Sequence, residues 1–99
     1  MLFRSDRGAN GYEVNIYDSR PDPQYATGGI VNVASPKVVM KSAGKWNTCL
    51  IRAQGSRLMV TMNGVALVDV QNSEHPEGFI GLQFGAGVVK FRNIKIRRL

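Results

Sequence analysis

Ninety-nine residues with a net charge of +6 and an apolar fraction of 43% make one domain with a small core rather than two domains. No apolar run is long enough to cross a bilayer as a helix, and residues 1–20 lack the basic, apolar, small-residue order of a signal peptide. The single cysteine, Cys49, excludes an internal disulfide and any cysteine cluster for a metal within one chain.

Helical spacing is interrupted everywhere by Gly or Pro, whereas short alternating runs recur between turn residues. LFRS, residues 2–5, predicts a first strand. GYEVNIYD, residues 11–18, predicts a second, with Tyr12, Val14 and Ile16 on one side and Glu13, Asn15 and Tyr17 on the other. SRPDPQYATG follows as a loop, in which Pro21 and Pro23 have no ladder donor. GIVNVA, residues 29–34, predicts a third strand, and SPKVVMKSAGKW an irregular connection.

NTCLIRAQ predicts a fourth strand that begins after Trp46 and turns back at Gly55-Ser56. Cys49 keeps step there with Ile51 and Ala53, as a buried small hydrophobe. RLMVTM and VALVDV predict the fifth and sixth strands. The Asn63-Gly64 pair between them suits a two-residue hairpin, because both residues tolerate positive φ. Leu58, Val60 and Met62 share one face, and Asp69 keeps step with Val65 and Leu67 as a structural hydrogen-bonder. QNSEHPEG is a polar loop. FIGLQF and VVKFRNIKI are the seventh and eighth strands, joined by GAG. This spacing predicts an all-β fold, an antiparallel β-sandwich.

The excess positive charge gathers at Lys90, Arg92, Lys95, Arg97 and Arg98. These alternate with Val89, Phe91, Ile94 and Ile96, so they read as the solvent face of a terminal strand. No nucleic-acid module pattern accompanies them, and neither a nucleic-acid nor a membrane partner is expected.

The words LFRS, GYEVNIYDS, YATGGIVNVASP, AGKWNTCLIRAQGSRLMVTMNGVALVD and EGFIGLQFGAGVVKFRNIKIRRL stand in an order that resembles the 3-keto-disaccharide hydrolase domain family over almost the whole chain. The resemblance implies a concanavalin A-like jelly roll, shortened here to the later part of a longer domain, with further strands expected before Met1. It implies a role in the bacterial breakdown of glycosides oxidised at carbon 3, a carbohydrate ligand, and a periplasmic or secreted location. Family members often carry a histidine after the segment matching Gly81-Leu82-Gln83, where this chain has Phe84, Gly85 and Ala86.

In such a jelly roll the sugar lies on the concave sheet face and needs carboxylates, amides, Arg and aromatic rings. Glu13 and Arg4 are the candidate catalytic residues, and Asn15, Tyr17, Asp18, Tyr25, Trp46 and Gln83 the candidate substrate contacts. Arg4 and Glu13 on neighbouring strands also read as a cross-strand ion pair on a wet face. Trp46 reads either as a sugar platform or as a plug at the core's edge. Glycoside hydrolysis ordinarily uses two carboxyl groups. A 3-keto sugar needs only one base, because the ketone acidifies the C–H at carbon 2. Glu13 would be that base, and Arg4 would steady it or the ketone oxygen.

The lone His75 reads as a loop residue rather than a ligand, since metal sites want three or more ligands. No phosphate cradle or Ser-His-Asp set is present. No cofactor is expected and no metal ligand is assigned, a divalent cation being left open. Three functions therefore stand: an enzyme acting on 3-keto glycosides, a lectin-like binding module, and a shortened jelly roll that assembles into a homo-oligomer.

Overall fold

A computed structural model describes residues 1–8, 10–19, 22, 25–83 and 87–99. Pro21, Pro23 and the Phe84-Gly85-Ala86 stretch lie outside the described residues. Six strands form: β1 (Leu2–Ser5), β2 (Tyr12–Glu13), β3 (Cys49–Gln54), β4 (Arg57–Met62), β5 (Val65–Gln71) and β6 (Phe79–Gly81). They make two three-stranded antiparallel sheets, ordered β2-β1-β6 and β3-β4-β5. The fold is a small antiparallel β-sandwich with no α-helix among the described residues, and so no helix long and apolar enough to cross a membrane.

The core lies where the inward rows of the two sheets meet. Phe3, Tyr12, Val14 and Ile30 come from the first sheet and its flank, and Leu58, Val60, Met62, Leu67 and Val68 from the second. Leu58, Val60 and Leu67 are fully buried, and each such side chain contributes about 1.5–3 kcal/mol. The predicted face of Leu58, Val60 and Met62 is the one that packs inward. Asn63 and Gly64 both take positive φ, at 51° and 79°, so Met62 pairs directly with Val65 across a two-residue turn.

Alternation fails in β5 for a local reason. Val60 pairs with Val68 and Thr61 with Ala66, which leaves Leu67 as the extra residue of a bulge. Leu67 and Val68 are both buried as a result. Beyond the bulge Asp69 emerges on the outer face, out of step with Leu67, where Arg57 grips it through Nε at 3.0 Å and Nη2 at 2.8 Å.

Five expectations change. GIVNVA is not a strand. Its 29–31 part bonds to the free edge of β2 and the residues after it (Val31 N–H to Glu13 O at 2.9 Å, Asn15 N–H to Gly29 O at 3.0 Å), with a bridge between Val14 and Ile30. Asn32 then takes φ 60° and the chain reverses onto Ala34. VVKFRNIKI forms no ladder, because period-two patterning gives a strand a face but cannot supply it with a neighbouring edge. Cys49, expected in the core, is exposed at the start of the edge strand β3, although crowding by its neighbours still pushes its thiol pKa up. Trp46 precedes β3 and is 50% exposed, so it does not plug the core. Ile16, predicted inward with Tyr12 and Val14, is also exposed.

β1 carries the second bulge. Leu2 pairs with Gly81 and Ser5 with Phe79, so three steps on β1 face two on β6. Arg4 takes up the difference with φ 48°, a conformation uncommon for a residue with a side chain. Glycines press on this bulge from both sides. A Cβ at Gly11 would lie 2.5 Å from Ser5 Cα, and one at Gly78 would lie 2.5 Å from the Ser5 carbonyl oxygen. Gly11→Ala is therefore expected to destabilise the fold by about 1–3 kcal/mol, the usual range for overpacking. Thermal unfolding of the variant against the parent chain checks this.

Candidate functional site

Directly paired residues of an antiparallel sheet share a face. Glu13, Leu2 and Gly81 thus form one row on the outward face of β2-β1-β6, opposite the buried Phe3 and Tyr12. Phe79, two residues before Gly81, lies on the same face and is 59% exposed. Because Gly81 has no side chain, the floor is low there. A shallow hollow of about 190 Å³ opens beside it, bounded by Leu2, Arg7, Phe79 and Ile80.

Phe79, Ser5 and Asp6 also border a second, larger hollow of about 400 Å³. Arg4, Asn10, His75 and Glu77 bring polar side chains to its wall, so it is called the polar hollow. The bulge at Arg4 and the 72–78 connection between β5 and β6 create this space. The Arg7 guanidinium lies over the Phe79 ring, 5.6 Å from its centroid, so a cation sits beside the aromatic that divides the two hollows.

Among the predicted site residues, Arg4 alone lines the polar hollow. It and Glu13 are on neighbouring strands as expected, but no ion pair joins them among the described residues. The Arg4 Nη1 instead crosses to the other sheet and donates to the Gly55 carbonyl at 2.6 Å. Glu13 is half-buried and stands opposite Leu2, which borders the smaller hollow, but Glu13 itself does not line it.

Asn15, Tyr17, Asp18 and Tyr25 gather in a separate cluster beyond β2. The Asn15 side-chain amide donates to the Tyr25 carbonyl, and the Tyr17 N–H donates to Thr27 Oγ1 at 2.9 Å. The Tyr25 hydroxyl donates to Asn32 Oδ1 at 2.9 Å. Asp18 is the hub. Its carboxylate accepts from Thr27 Oγ1 at 2.7 Å, from the Ser42 N–H and hydroxyl at 2.8 Å each, and from the Ala43 N–H at 2.8 Å. Burial alone would raise its pKa, but these donors outweigh burial and bring it from 3.8 down to about 2. Such a carboxylate is permanently ionised and fully engaged, which suits a brace between residues 18, 27 and 42 better than a base.

Trp46 lies elsewhere, with the Arg92 guanidinium stacked 3.9 Å from its ring centroid. Gln83 is exposed two residues past the end of β6. The structure therefore gathers four of the eight predicted residues in one cluster and sets Arg4, Glu13, Trp46 and Gln83 apart from it.

Sequence reasoning misses Asp6, Asn10, His75, Glu77 and Phe79. The polar density of SEHPEG is a signal for two of them, but only the β1 bulge brings that loop to Arg4. Asp6 caps its own loop. It accepts the Gly8 and Asn10 N–H groups at 2.8 and 2.9 Å and the Asn10 amide at 3.0 Å, and the Asn10 bonds lead in holding its pKa down. No group of three or more His, Cys, Asp or Glu is placed to hold a metal ion among the described residues.

The model of one protein family, the 3-keto-alpha-glucoside-1,2-lyase-like domain, matches residues 1–97. The chain belongs to this family. Searches of curated proteins and of solved structures found no match. The order of short words along the sequence thus pointed to the right family, and the 3-keto-alpha-glucoside-1,2-lyase-like domain is a carbohydrate-related one.

The Asp18 hub gives the domain a signed pH dependence. Because the folded pKa is depressed, the stabilisation is complete above the unfolded value near 3.8 and is lost as pH falls through about 2. Denaturant midpoints of the wild type are expected to fall across that window, with Asp6 and Asp69 adding to the decline in the same direction. Asp18→Asn should be less stable at pH 7 and show a flatter profile between pH 4 and 2 (a window taken from the same two pKa values).

Proposed function

We propose that the domain binds a 3-keto glycoside across Phe79, with one sugar ring in each hollow, and eliminates the group at carbon 1. The observation that carries this reading is the half-exposed Phe79 standing between a small hollow floored by Leu2 and Gly81 and a larger one to which Arg4, Asn10, His75 and Glu77 contribute. Sugar rings have apolar faces that suit an aromatic ring and hydroxyls that suit charged and amide groups. Arg4, Asn10, His75 and Glu77 offer donors and acceptors on the polar side. Family membership supplies the substrate class.

In this reading the keto sugar occupies the smaller hollow and extends over Leu2 toward Glu13. The Glu13 carboxylate removes the proton from carbon 2, which the neighbouring ketone has acidified. The electron pair forms the carbon 1–carbon 2 double bond as the carbon 1–oxygen bond breaks. The departing alkoxide takes a proton from solvent and leaves as the alcohol of the second sugar. Water then adds across the double bond, its oxygen going to carbon 1 as its proton passes to solvent, while the proton held by Glu13 returns to carbon 2 and restores the base. Arg4 spends one N–H on Gly55 and keeps others for the ligand. Asn15, Tyr17, Asp18 and Tyr25 brace β2 from behind Glu13. Gln83 closes the far end of the face, and Trp46 takes no part.

A second reading, binding without chemistry, rests on the openness of both hollows, since water is not excluded from either. Self-association into a homo-oligomer is favoured by a different observation, the exposure of Leu50 at 61%, Ile94 at 56% and Ile96 at 73%. Sedimentation at micromolar concentration reads it directly, and a monomer throughout removes it.

Turnover of a 3-keto-α-glucoside separates chemistry from binding. Release of the aglycone is expected, and Glu13→Gln should lower kcat by about 10²–10⁴, the usual contribution of a general base. Phe79→Ala should weaken binding by about tenfold, or roughly 1.4 kcal/mol. Binding without release would leave only the module reading. No binding by calorimetry at millimolar sugar would overturn both.

A further inference from the structure

Tyr12 is 1% exposed and looks like a core residue: its ring is 5.2 Å from that of Phe3 at a tilt. Its hydroxyl tells a different story. The phenol reaches out of the core to the 72–78 connection, donating to Asn72 Oδ1 at 2.5 Å and accepting the His75 N–H at 3.0 Å. Asn72 Oδ1 also accepts the Glu74 N–H at 3.0 Å, and the Asn72 N–H is tied to the Ser56 carbonyl at 2.7 Å. The His75 imidazole stands edge-on to the Tyr12 ring with centroids 4.9 Å apart.

One phenol thus fixes both backbone and side chain of the segment that supplies His75 and Glu77 to the polar hollow. Without it, this seven-residue polar loop between β5 and β6 has little to hold it. His75 is its one half-buried ring, and its nearest carboxylate, Glu74, stands 3.9 Å away on an exposed side chain.

We infer that Tyr12 is a positioning residue for sugar recognition: its hydroxyl sets the place of His75 and Glu77 against the second sugar while never touching the ligand. The inference rests on the reading of the hollows given above. Its specific content is that recognition in the polar hollow depends on a hydroxyl inside the core. Glu13, on the other face of the sheet from the Tyr12 side chain, is outside its reach. Loss of the hydroxyl therefore acts on binding of the leaving sugar and spares proton abstraction.

Tyr12→Phe keeps the ring and removes the anchor. Asn72→Ala removes the acceptor from the loop side and leaves the core intact, so it serves if the first variant folds poorly. Amide hydrogen exchange of Glu74 and His75, read by NMR, is expected to quicken by about tenfold or more in either variant, while β3–β4 amides keep their protection. With a 3-keto disaccharide, KM should rise about fivefold or more and kcat should hold within about twofold, the pattern of lost uniform binding. With a 3-keto methyl glycoside, which lacks the second sugar, neither variant should differ from the parent.

Faster exchange with an unchanged disaccharide KM overturns the inference, as does unchanged exchange. Equal losses on the disaccharide and the methyl glycoside overturn it as well, since they mean a general structural defect. A parent chain that binds neither sugar sinks the reading beneath it, an outcome distinct from all of these.

Discussion

Neither three-stranded sheet has enough buried area to persist alone, so each depends on the contact between the two inward rows. Phe3, Tyr12, Val14 and Ile30 must meet Leu58, Val60, Met62, Leu67 and Val68. That constraint assigns every other position. Once Phe3 and Tyr12 face inward, their neighbours Leu2 and Glu13 must face out, and strand pairing brings Gly81 and Phe79 to the same side. A one-residue slip in β1 would reverse all of them. The outward face is therefore a consequence of core packing and needs no separate device to create it.

The two bulges adjust this scheme where strict alternation would fail. In β5 the extra residue lets Leu67 join Val68 in the core and sends Asp69 outward to Arg57. In β1 the extra residue is Arg4, whose guanidinium turns toward the β3–β4 hairpin and bonds to Gly55. The left-handed backbone at Arg4 costs of order 1–3 kcal/mol, and the close approach of Gly11 and Gly78 holds it in place. The polar hollow lies along this bulge, where Arg4 and Ser5 meet the end of the 72–78 connection.

Much of this was legible in the residues. Alternation alone located β1, β4 and the inward row of Leu58, Val60 and Met62, and Asn63-Gly64 announced its hairpin. The family followed from the order of longer words. Misread positions share a cause: alternation describes one strand at a time, whereas pairing belongs to two. VVKFRNIKI has the pattern of a strand and no ladder. GIVNVA bonds along part of its length and then reverses at Asn32. Cys49 has an inward parity but sits at the edge of its sheet, where little covers it. The candidate site was harder still. Arg4 and Glu13 were visible as polar residues on neighbouring strands, yet no sequence signal marks the bulge that turns Arg4 away from Glu13. Phe79 looked like any apolar residue of a strand, and only the folded structure shows that it is exposed on the outward face.

Asp18 and Tyr12 illustrate how chemically equipped side chains are sorted by their surroundings. Asp18 looks like a sugar ligand at the end of a strand, but four hydrogen bonds from Thr27, Ser42 and Ala43 use its acceptors and hold it ionised. Tyr12 looks like filler, but a buried hydroxyl must find partners or incur a penalty of a few kcal/mol. Asn72 and His75 are those partners. The demand for satisfaction inside the core thus reaches the surface and orders a polar loop there. Glu13 differs from both: it is half-buried on the outward face, in the row that runs through Leu2 to Gly81. Of the carboxylates in the predicted set, it alone keeps its acceptors for something that is not part of the fold, which is the physical reason to look for chemistry there.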